Sequence, residues 1–431
     1  VSYIGYVTQV ISAAGGDITI TLMPDVTALS EIVVIGYGEQ QKKVATGAIA
    51  AIGEDKLRGF NVPSLENALA GQMSGVQVSS SSGQPGSNRP IFIRGVGTNG
   101  DASPLYVVDG LVVQDINWIN PADVMSINVL KDAASTAIYG ARGANGVVIV
   151  TTRKGKSGAY EVTYDGFMSS SQPWRMPDML NSSQYFELIS EKYDNSNVAL
   201  PLGFPTSEAD IEENTDWFDV LIEPAKIQSH KLSFGKGTES GNILVSLSYW
   251  DEQGSIGGDK SNYKRITGRI NSETKISPRL TVGQNLAYFN SVRNSIPENN
   301  AFGSPLSDAF NYDPITPVYD EAGEFGFGHS NWVQKEYINP LGRIFISNNE
   351  NKLTKMIGNV YTDVKIIEGL SVRSDLGFDY TATLDRFFTP SYEFRSTFAN
   401  PYNGIGQGTF QGLQLQIENY ATYQRTFLDN H

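Results

Sequence analysis

The chain has 431 residues and carries 46 acidic against 32 basic side chains, which gives a formal net charge of −14. A negatively charged protein repels the phosphate backbone of nucleic acids, so the composition disfavours nucleic acid as a partner. There is no cysteine, which excludes a disulfide scaffold, a thiolate metal site and a cysteine nucleophile. No apolar run approaches the length of about 18 residues that a membrane-spanning helix requires.

Residues 46–156 predict a small α+β domain. Pro63 and Gly75 bracket one short helix, and Asp132 caps a second that runs over 132–139. The pair Asp109-Gly110 stands between two apolar runs and predicts a hairpin turn rather than a catalytic aspartate. Strands are predicted at residues 90–94, 105–108, 126–130 and 147–152.

Residues 95–100 (GVGTNG) have the spacing of a dinucleotide-binding loop. That fingerprint needs a helix to begin at the loop, whereas residues 101–104 lead straight into another β-rich run. The histidines His230, His329 and His431 are scattered, and no spacing typical of a catalytic or metal site occurs. We therefore predict that the chain is not an enzyme and that it needs no cofactor or metal.

From Tyr160 onward, segments of about ten residues alternate apolar and polar side chains, as a strand with one greasy face does. In residues 370–380, Leu376 falls on the apolar face, while Asp375 and Asp379 fall on the other. A charged face opposite an apolar one predicts a hydrated interior. The pattern recurs at residues 242–250, 280–289, 356–366 and 413–423.

The predicted connections between these strands alternate in length. Short ones are expected at residues 237–241, 277–279 and 368–369, and long ones at residues 171–228, 254–261, 292–351 and 385–411. Short turns at one end and long loops at the other are typical of outer-membrane barrels. A barrel of about eight strands cannot enclose a domain, whereas a plugged lumen needs about 22. We therefore expect an N-terminal part of a longer chain, with Val1 as an internal start.

Four motifs follow one another along the chain: LSEIVVIGYG at residues 29–38, PIFIRG at 90–95, PLYVVDG at 104–110 and YGARGANG at 139–146. Together they resemble the SusC-like TonB-dependent outer-membrane transporters. The resemblance implies an outer-membrane antiparallel β-barrel with an α+β plug domain inside, preceded by the end of a β-sandwich domain. It implies about 22 strands in the full protein and about eight here. Ile35 is a mild departure, because the family usually has Val or Thr there.

The resemblance also divides the chain. It implies the end of a carboxypeptidase-regulatory-like β-sandwich at residues 1–24, the TonB box and linker at 25–45, the plug at 46–156, and the first barrel strands at 157–431. The box gripped by the periplasmic protein TonB would consist of Glu31, Ile32, Val33, Val34, Ile35 and Gly36. An extended β-branched segment can add as a strand to a sheet edge. The alternative is that residues 32–35 form a buried strand of the neighbouring domain.

In that family the function is TonB-driven import of a glycan or oligopeptide through a multi-pass barrel in the Gram-negative outer membrane. The implied partners are TonB, a SusD-like lipoprotein lid, the substrate and outer-membrane lipid, with transporter and lid often paired as a dimer. Expected ligand-binding residues are Asn99, Gly100, Asp101 and, as a stacking surface, Trp118. Expected plug–barrel contacts join Arg94 and Arg142 to Asp375 and Asp379.

Two other functions remain open from the sequence. A receptor of the same architecture would report ligand occupancy to a periplasmic regulator, and would need an extra domain before Val1. A secreted β-rich adhesin or carbohydrate-binding protein would show no sorting of loop lengths. Within the transporter interpretation, the sequence does not separate glycan from peptide import.

Overall fold

In a computed structural model of the chain, the structure describes residues 32–35, 38–41, 49–155, 158 and 160–425. Residues 32–35 and 38–41 are described by their backbone, and the side chain of Arg58 is left out. The predicted domain at residues 1–24, and Glu31 and Gly36 of the predicted box, lie outside the described residues. The chain divides into two compact units, the second of which comprises Ser80–Arg89 and the residues from Lys154 onward.

The first unit is the predicted α+β domain. Its strands are β1 (Ile32–Ile35), β2 (Gly38–Gln41), β3 (Ile49–Gly53), β4 (Val76–Val78), β5 (Ile91–Ile93), β6 (Leu105–Val108), β7 (Leu111–Val113), β8 (Val124–Leu130) and β9 (Val147–Thr152). Its α-helices are α1 (Glu54–Arg58), α2 (Leu65–Leu69) and α3 (Ala133–Thr136). The main sheet has the order β3-β8-β9-β6-β7, in which only β6 and β9 run parallel. The strands predicted for this region are confirmed.

Both predicted helices exist, but each is shorter than its pattern indicates. The first ends at Leu69, because Ala70 leaves the helical conformation (φ −58°, ψ 120°). In the second, the Asp132 carboxylate accepts the backbone N–H of Ser135 at 2.9 Å, which confirms the predicted cap. After Thr136 the chain tightens into 3₁₀ turns instead of continuing as an α-helix.

The predicted hairpin turn at Asp109-Gly110 is confirmed and has a second role. Both residues have positive φ (51° and 92°), as a two-residue hairpin loop requires, and β6 pairs with β7 across them. The Asp109 carboxylate also accepts the backbone N–H of Thr152 at 2.9 Å and its hydroxyl at 2.6 Å. This motif residue therefore ties the turn to the end of β9.

The second unit is built on one antiparallel sheet of eight long strands. They are β10 (Glu161–Ser171), β11 (Ala225–Thr238), β12 (Gly241–Gly254), β13 (Gly258–Ser277), β14 (Leu280–Ser295), β15 (Asn348–Ile367), β16 (Leu370–Thr389) and, after a small hairpin of β17 (Tyr392–Arg395) and β18 (Phe398–Asn400), β19 (Gly404–Tyr423). The connections hold helices α4 (Ser182–Asn195), α5 (Trp217–Leu221), α6 (Pro305–Asn311) and α7 (Pro340–Ile346). Each long strand pairs with the next one along the chain.

The two faces of this sheet differ as the alternation predicts. Leu376 and Ile417 are neighbours on one face, and both side chains are exposed. On the other face Asn359 and Asp375 are buried, and the Asn359 amide donates to both Asp375 carboxylate oxygens at 2.9 and 3.0 Å. The predicted assignment of Asp375 and Asp379 to the polar face is confirmed.

The connections are sorted by length, with one exception to the prediction. Three of the four predicted long connections are present, between β10 and β11, between β14 and β15 and, over residues 390–403, between β16 and β19; the hairpin turns at the opposite end are short. The connection predicted at 254–261 is instead only Ser255–Gly257, because β12 and β13 extend further than their alternating side chains indicate. Among the described residues, every helix falls short of the length and apolarity needed to cross a bilayer.

Ser80–Arg89 comes between β4 and β5 in the chain but belongs to the second unit. The Gln84 side chain pairs with the backbone of Ile296, donating to its carbonyl at 2.8 Å and accepting its N–H at 3.0 Å. The Arg293 guanidinium donates to the carbonyl of Pro85 at 3.1 Å. The segment is therefore fixed to the end of β14 by hydrogen bonds that resemble those of a strand pair.

Gly86 has a close neighbour within this docked segment. Its φ is +63°, and a Cβ placed on it would lie 2.3 Å from the ring of Tyr263 on β13. Both the backbone conformation and the available space therefore require glycine. Gly83, three residues earlier, would place a Cβ in open space.

We predict that Gly86→Ala releases the docked segment. The left-handed backbone alone makes the substitution unfavourable by about 1–2 kcal/mol, and the contact with the Tyr263 ring adds to this. Hydrogen–deuterium exchange on the full-length protein should show faster exchange over residues 80–89 and at Ile296. Gly83→Ala is the matched control and should leave exchange unchanged; equal exchange in the two variants would contradict the prediction.

Candidate ligand-binding site

A cavity of about 570 Å³ lies beside the docked segment and is formed wholly by the second unit. Its walls come from the docked segment, the β12–β13 turn, the residues that follow β14, and α6. This volume falls in the range of about 300–1,000 Å³ that small-ligand sites occupy. The lining combines apolar side chains with hydroxyl and amide groups, the composition expected of a site that orients a ligand.

Helix α6 forms one wall, and local sequence determines where it begins. The Ser304 hydroxyl accepts the backbone N–H of Ser307 at 3.2 Å, and Pro305 occupies the first turn, where its missing N–H has no cost. Leu306 and Phe310 of this helix line the cavity, and both side chains are partly exposed. The Phe310 ring is held edge-on against Phe218 of α5, with 4.8 Å between centroids.

An ion pair behind α6 holds the helix in place. Arg343 of α7 donates through Nε to one oxygen of Asp308 at 2.5 Å and through Nη2 to the other at 3.0 Å. Asp308 is fully buried, and burial raises the pKa of its carboxyl above the ordinary value although the Arg343 guanidinium acts to lower it. Because the pair is bidentate and buried, loss of Arg343 would leave an uncompensated charge under the cavity wall.

Further aromatic packing supports this end of the second unit. Trp217, Phe218, Ala309, Tyr312 and Tyr337 form a buried cluster together with Ile296, the residue that Gln84 holds. The connection after β10 and the connection after β14 therefore share one core. The cavity wall is part of a packed layer rather than an isolated loop.

A second cavity of similar volume is formed by the starts of β13, β15 and β19 and the ends of β14 and β16. Its lining includes Lys260, Arg386 and Phe388. Consecutive residues such as Phe387 and Phe388, which alternate between the two faces of β16, both line it. We regard the cavity beside the docked segment as the candidate ligand site, because its walls include the docked segment and the packed helix α6.

The predicted ligand-binding residues are not brought together. Asn99, Gly100 and Asp101 are exposed on the loop before β6. Hydrogen bonds from Ser103 lower the pKa of the Asp101 carboxyl, and the bond from the Ser103 backbone N–H has the larger effect. Trp118 is 2% exposed, and its indole N–H donates to the carbonyl of Asp115 at 2.9 Å. The expectation that Trp118 is a stacking surface is therefore wrong, since its ring is part of the core beside Ile116 and Ile119.

The predicted plug–barrel contacts stay a prediction. Arg94 and Arg142 are exposed in the first unit. In the second unit the Asp375 carboxylate accepts hydrogen bonds from Asn359 and, at 3.0 Å, from Arg373. Asp379 is 5% exposed and accepts the hydroxyl of Thr381.

Of the predicted TonB box, Ile32, Val33, Val34 and Ile35 form β1, which pairs antiparallel with β2. Val34 lies opposite Glu39 in this pair. The extended conformation expected of the box is confirmed for these four residues. Its binding to TonB stays a prediction.

The sequence analysis did not predict the docked segment. Part of the information was present in the sequence, because Pro85 and Gly86 are typical turn residues and the polar Gln84 beside them can form side-chain hydrogen bonds. No group of three or more histidine, aspartate or glutamate side chains suited to a metal ion occurs in the part of the chain that the structure describes.

Comparison with known proteins supports the architecture. Residues 41–147 match a protein family described as the TonB-dependent receptor plug domain. TonB-dependent receptor P26 of Formosa agariphila is 30% identical over the whole chain, and TonB-dependent receptor SusC of Bacteroides thetaiotaomicron is 30% identical over 98% of it. The chain spans 43% and 44% of the lengths of these two relatives.

Among solved structures, the RagAB peptide importer in its open-open state superimposes with a TM-score of 0.79. The match covers 93% of this chain and 47% of the other at 24% sequence identity, so it bears on the fold alone. The siderophore receptor PirA from Acinetobacter baumannii is more distant, with a TM-score of 0.52 at 15% identity. The chain therefore belongs to the SusC-like family of TonB-dependent receptors, whose plug domain and antiparallel barrel strands it contains.

Proposed function

We propose that this chain is part of a transporter that imports a glycan or an oligopeptide across the outer membrane, driven by TonB. One observation carries the proposal: a plug domain precedes, in a single chain, a long-stranded sheet with one exposed apolar face and one buried polar face. A sheet of this kind suits a barrel wall that lies between lipid and a hydrated lumen. A secreted adhesin would have no use for a plug.

The energy for import enters at the box, residues 31–36. A strand of β-branched residues such as β1 can be extended by another strand through backbone hydrogen bonds, so TonB needs little side-chain specificity to hold it. Pulling along the bound strand transmits force to the plug. The chain itself then needs no catalytic residue, nucleotide or cofactor.

Substrate enters from the opposite side of the membrane. The cavity beside the docked segment supplies contacts to the substrate, and Asn99, Gly100 and Asp101 on their exposed loop are separate ligand contacts. A SusD-like lipoprotein covers these surfaces, and transporter and lid assemble in pairs. Support comes from the relatives, since one is SusC and one structural neighbour is described as a peptide importer.

The proposal also pairs Arg94 and Arg142 of the plug with acidic groups of the lumen such as Asp375 and Asp379. The same proposal assigns residues 1–24 to a β-sandwich domain, 25–45 to the box and linker, 46–156 to the plug and 157–431 to the barrel. Buried carboxylates on the polar face of the sheet support the pairing of Asp375 and Asp379 with the plug arginines.

We predict that Val34→Pro in the full-length protein abolishes energised uptake. Proline removes the backbone N–H and restricts the strand, so TonB cannot complete its hydrogen-bond ladder. Uptake of labelled glycans and peptides by cells measures the effect, with outer-membrane insertion checked by surface labelling. Val34→Thr keeps a β-branched side chain and a normal backbone and should import at the wild-type rate. Unchanged uptake in the proline variant would remove the box assignment.

We also predict that a charged side chain introduced on the apolar face destabilises the folded protein in a bilayer, and more strongly the nearer it lies to the middle of the bilayer. Leu376→Arg, near the middle of β16, should lower the free energy of unfolding by about 2–4 kcal/mol. Ile405→Arg, on the same face at the start of β19, should change it by about 0–1 kcal/mol. Urea unfolding of the full-length protein in lipid vesicles measures both, and equal effects would argue against a lipid-facing surface.

A further inference from the structure

The charge of the candidate ligand site is unbalanced. Among the described residues that line the cavity, Glu298 is the only charged side chain, and lysine, arginine and histidine are absent. The Glu298 carboxylate accepts the hydroxyl of Ser82 at 2.5 Å, which orients it without neutralising it. Two basic groups contact the walls without lining the cavity: Arg293 donates to the carbonyl of the lining residue Pro85, and Arg343 pairs with Asp308 of α6.

A site with these charges discriminates against anions. A ligand carboxylate, sulfate or phosphate would lose its hydration without gaining a cationic partner, and would be repelled by Glu298. The net charge of −14 on the chain acts in the same direction at longer range. A ligand ammonium or guanidinium would gain a carboxylate partner.

The apolar part of the lining indicates what else the ligand carries. Its apolar side chains are mainly aliphatic, from Ile256, Ile296, Pro297 and Leu306, and Phe310 is the only aromatic ring among the described lining residues. Saccharide rings are bound most effectively against broad aromatic faces, whereas aliphatic walls are complementary to aliphatic side chains. Neither Trp nor Tyr, the residues that combine an apolar ring with a polar tip, occurs among the lining residues that the structure describes.

Polar groups in the same lining suit a peptide backbone. Ser255, Asn299 and Asn300 place hydroxyl and amide groups around the opening, and Asn299 already donates to the carbonyl of Ser81 at 2.9 Å. Neutral donors and acceptors of this type bind amide groups without requiring a charge on the ligand. Peptide amides and aliphatic side chains are thus both complementary to the cavity.

We infer that this cavity binds a segment of an oligopeptide that bears aliphatic side chains and a basic group, and that it rejects acidic peptides and neutral saccharides. The inference rests on the proposed import function and names the substrate class of its ligand site. Glu298 provides the charge preference, and Leu306 provides part of the apolar contact.

The test measures binding by the full-length protein in detergent, which requires neither TonB nor a membrane potential. Three fluorescent pentapeptides share two leucines and differ at one position, which is lysine, glutamine or glutamate. We expect the lysine peptide to bind about five- to tenfold more tightly than the glutamate peptide. An unlabelled neutral glucose pentasaccharide should not displace the lysine peptide.

Two variants connect the preference to the cavity. Glu298→Gln should reduce the difference between lysine and glutamate peptides to less than about twofold, while the glutamine peptide binds as before. Leu306→Ser should weaken all three peptides by about tenfold, because it removes an aliphatic contact. Glu321→Gln is the matched control, since Glu321 is an exposed carboxylate on the same connection that does not line the cavity.

Several outcomes would overturn the inference: displacement by the pentasaccharide, absence of binding by all peptides, or a charge preference that survives Glu298→Gln. None of them would affect the import proposal, because that proposal is tested by uptake in the Val34→Pro variant. Conversely, loss of the import function would leave the peptide binding measurable.

Discussion

A ladder of backbone hydrogen bonds through eight antiparallel strands, whose register shifts lie near strand ends, is the constraint on which the second unit depends. Because side chains alternate along a strand, the register of one pair determines the face of every residue in the next. A shift by one residue would exchange Leu376 with Asp375 and put a carboxylate among apolar side chains. The register of the long strands is thus specified, because each register shifted by one residue would place charged side chains on the apolar face.

The same ladder explains why the docked segment can be held by so few contacts. Strand β14 ends at Ser295, so the backbone of Ile296 is the next group that needs partners. The Gln84 amide supplies both a donor and an acceptor, as a neighbouring strand would. The position of the cavity therefore follows from where β14 stops pairing with other strands.

Much of the fold could be predicted from the sequence because its signals are local. Alternation over ten residues located the faces of β16, and the dipeptide Asp109-Gly110 located a hairpin. The docked segment could not be found in this way, since its partners lie 177 to 218 residues away along the chain. Trp118 was misassigned for a related reason: a loop residue shows no periodicity, although its neighbours Ile116 and Ile119 were an apolar signal.

The sheet order of the plug bears on how force would act in the proposed import. Strand β3, the first strand of the five-stranded sheet after the box, lies at the edge and pairs only with β8 within it. A pull from the N-terminal side can therefore open one ladder of five residue pairs without disturbing β9 or β6. Further along the chain, the hydrogen bonds of Gln84 and the ion pair of Lys154 with Glu273 at 2.9 Å belong to the second unit. Because β3 precedes these attachments along the chain, a pull from the box reaches this edge strand before it reaches them.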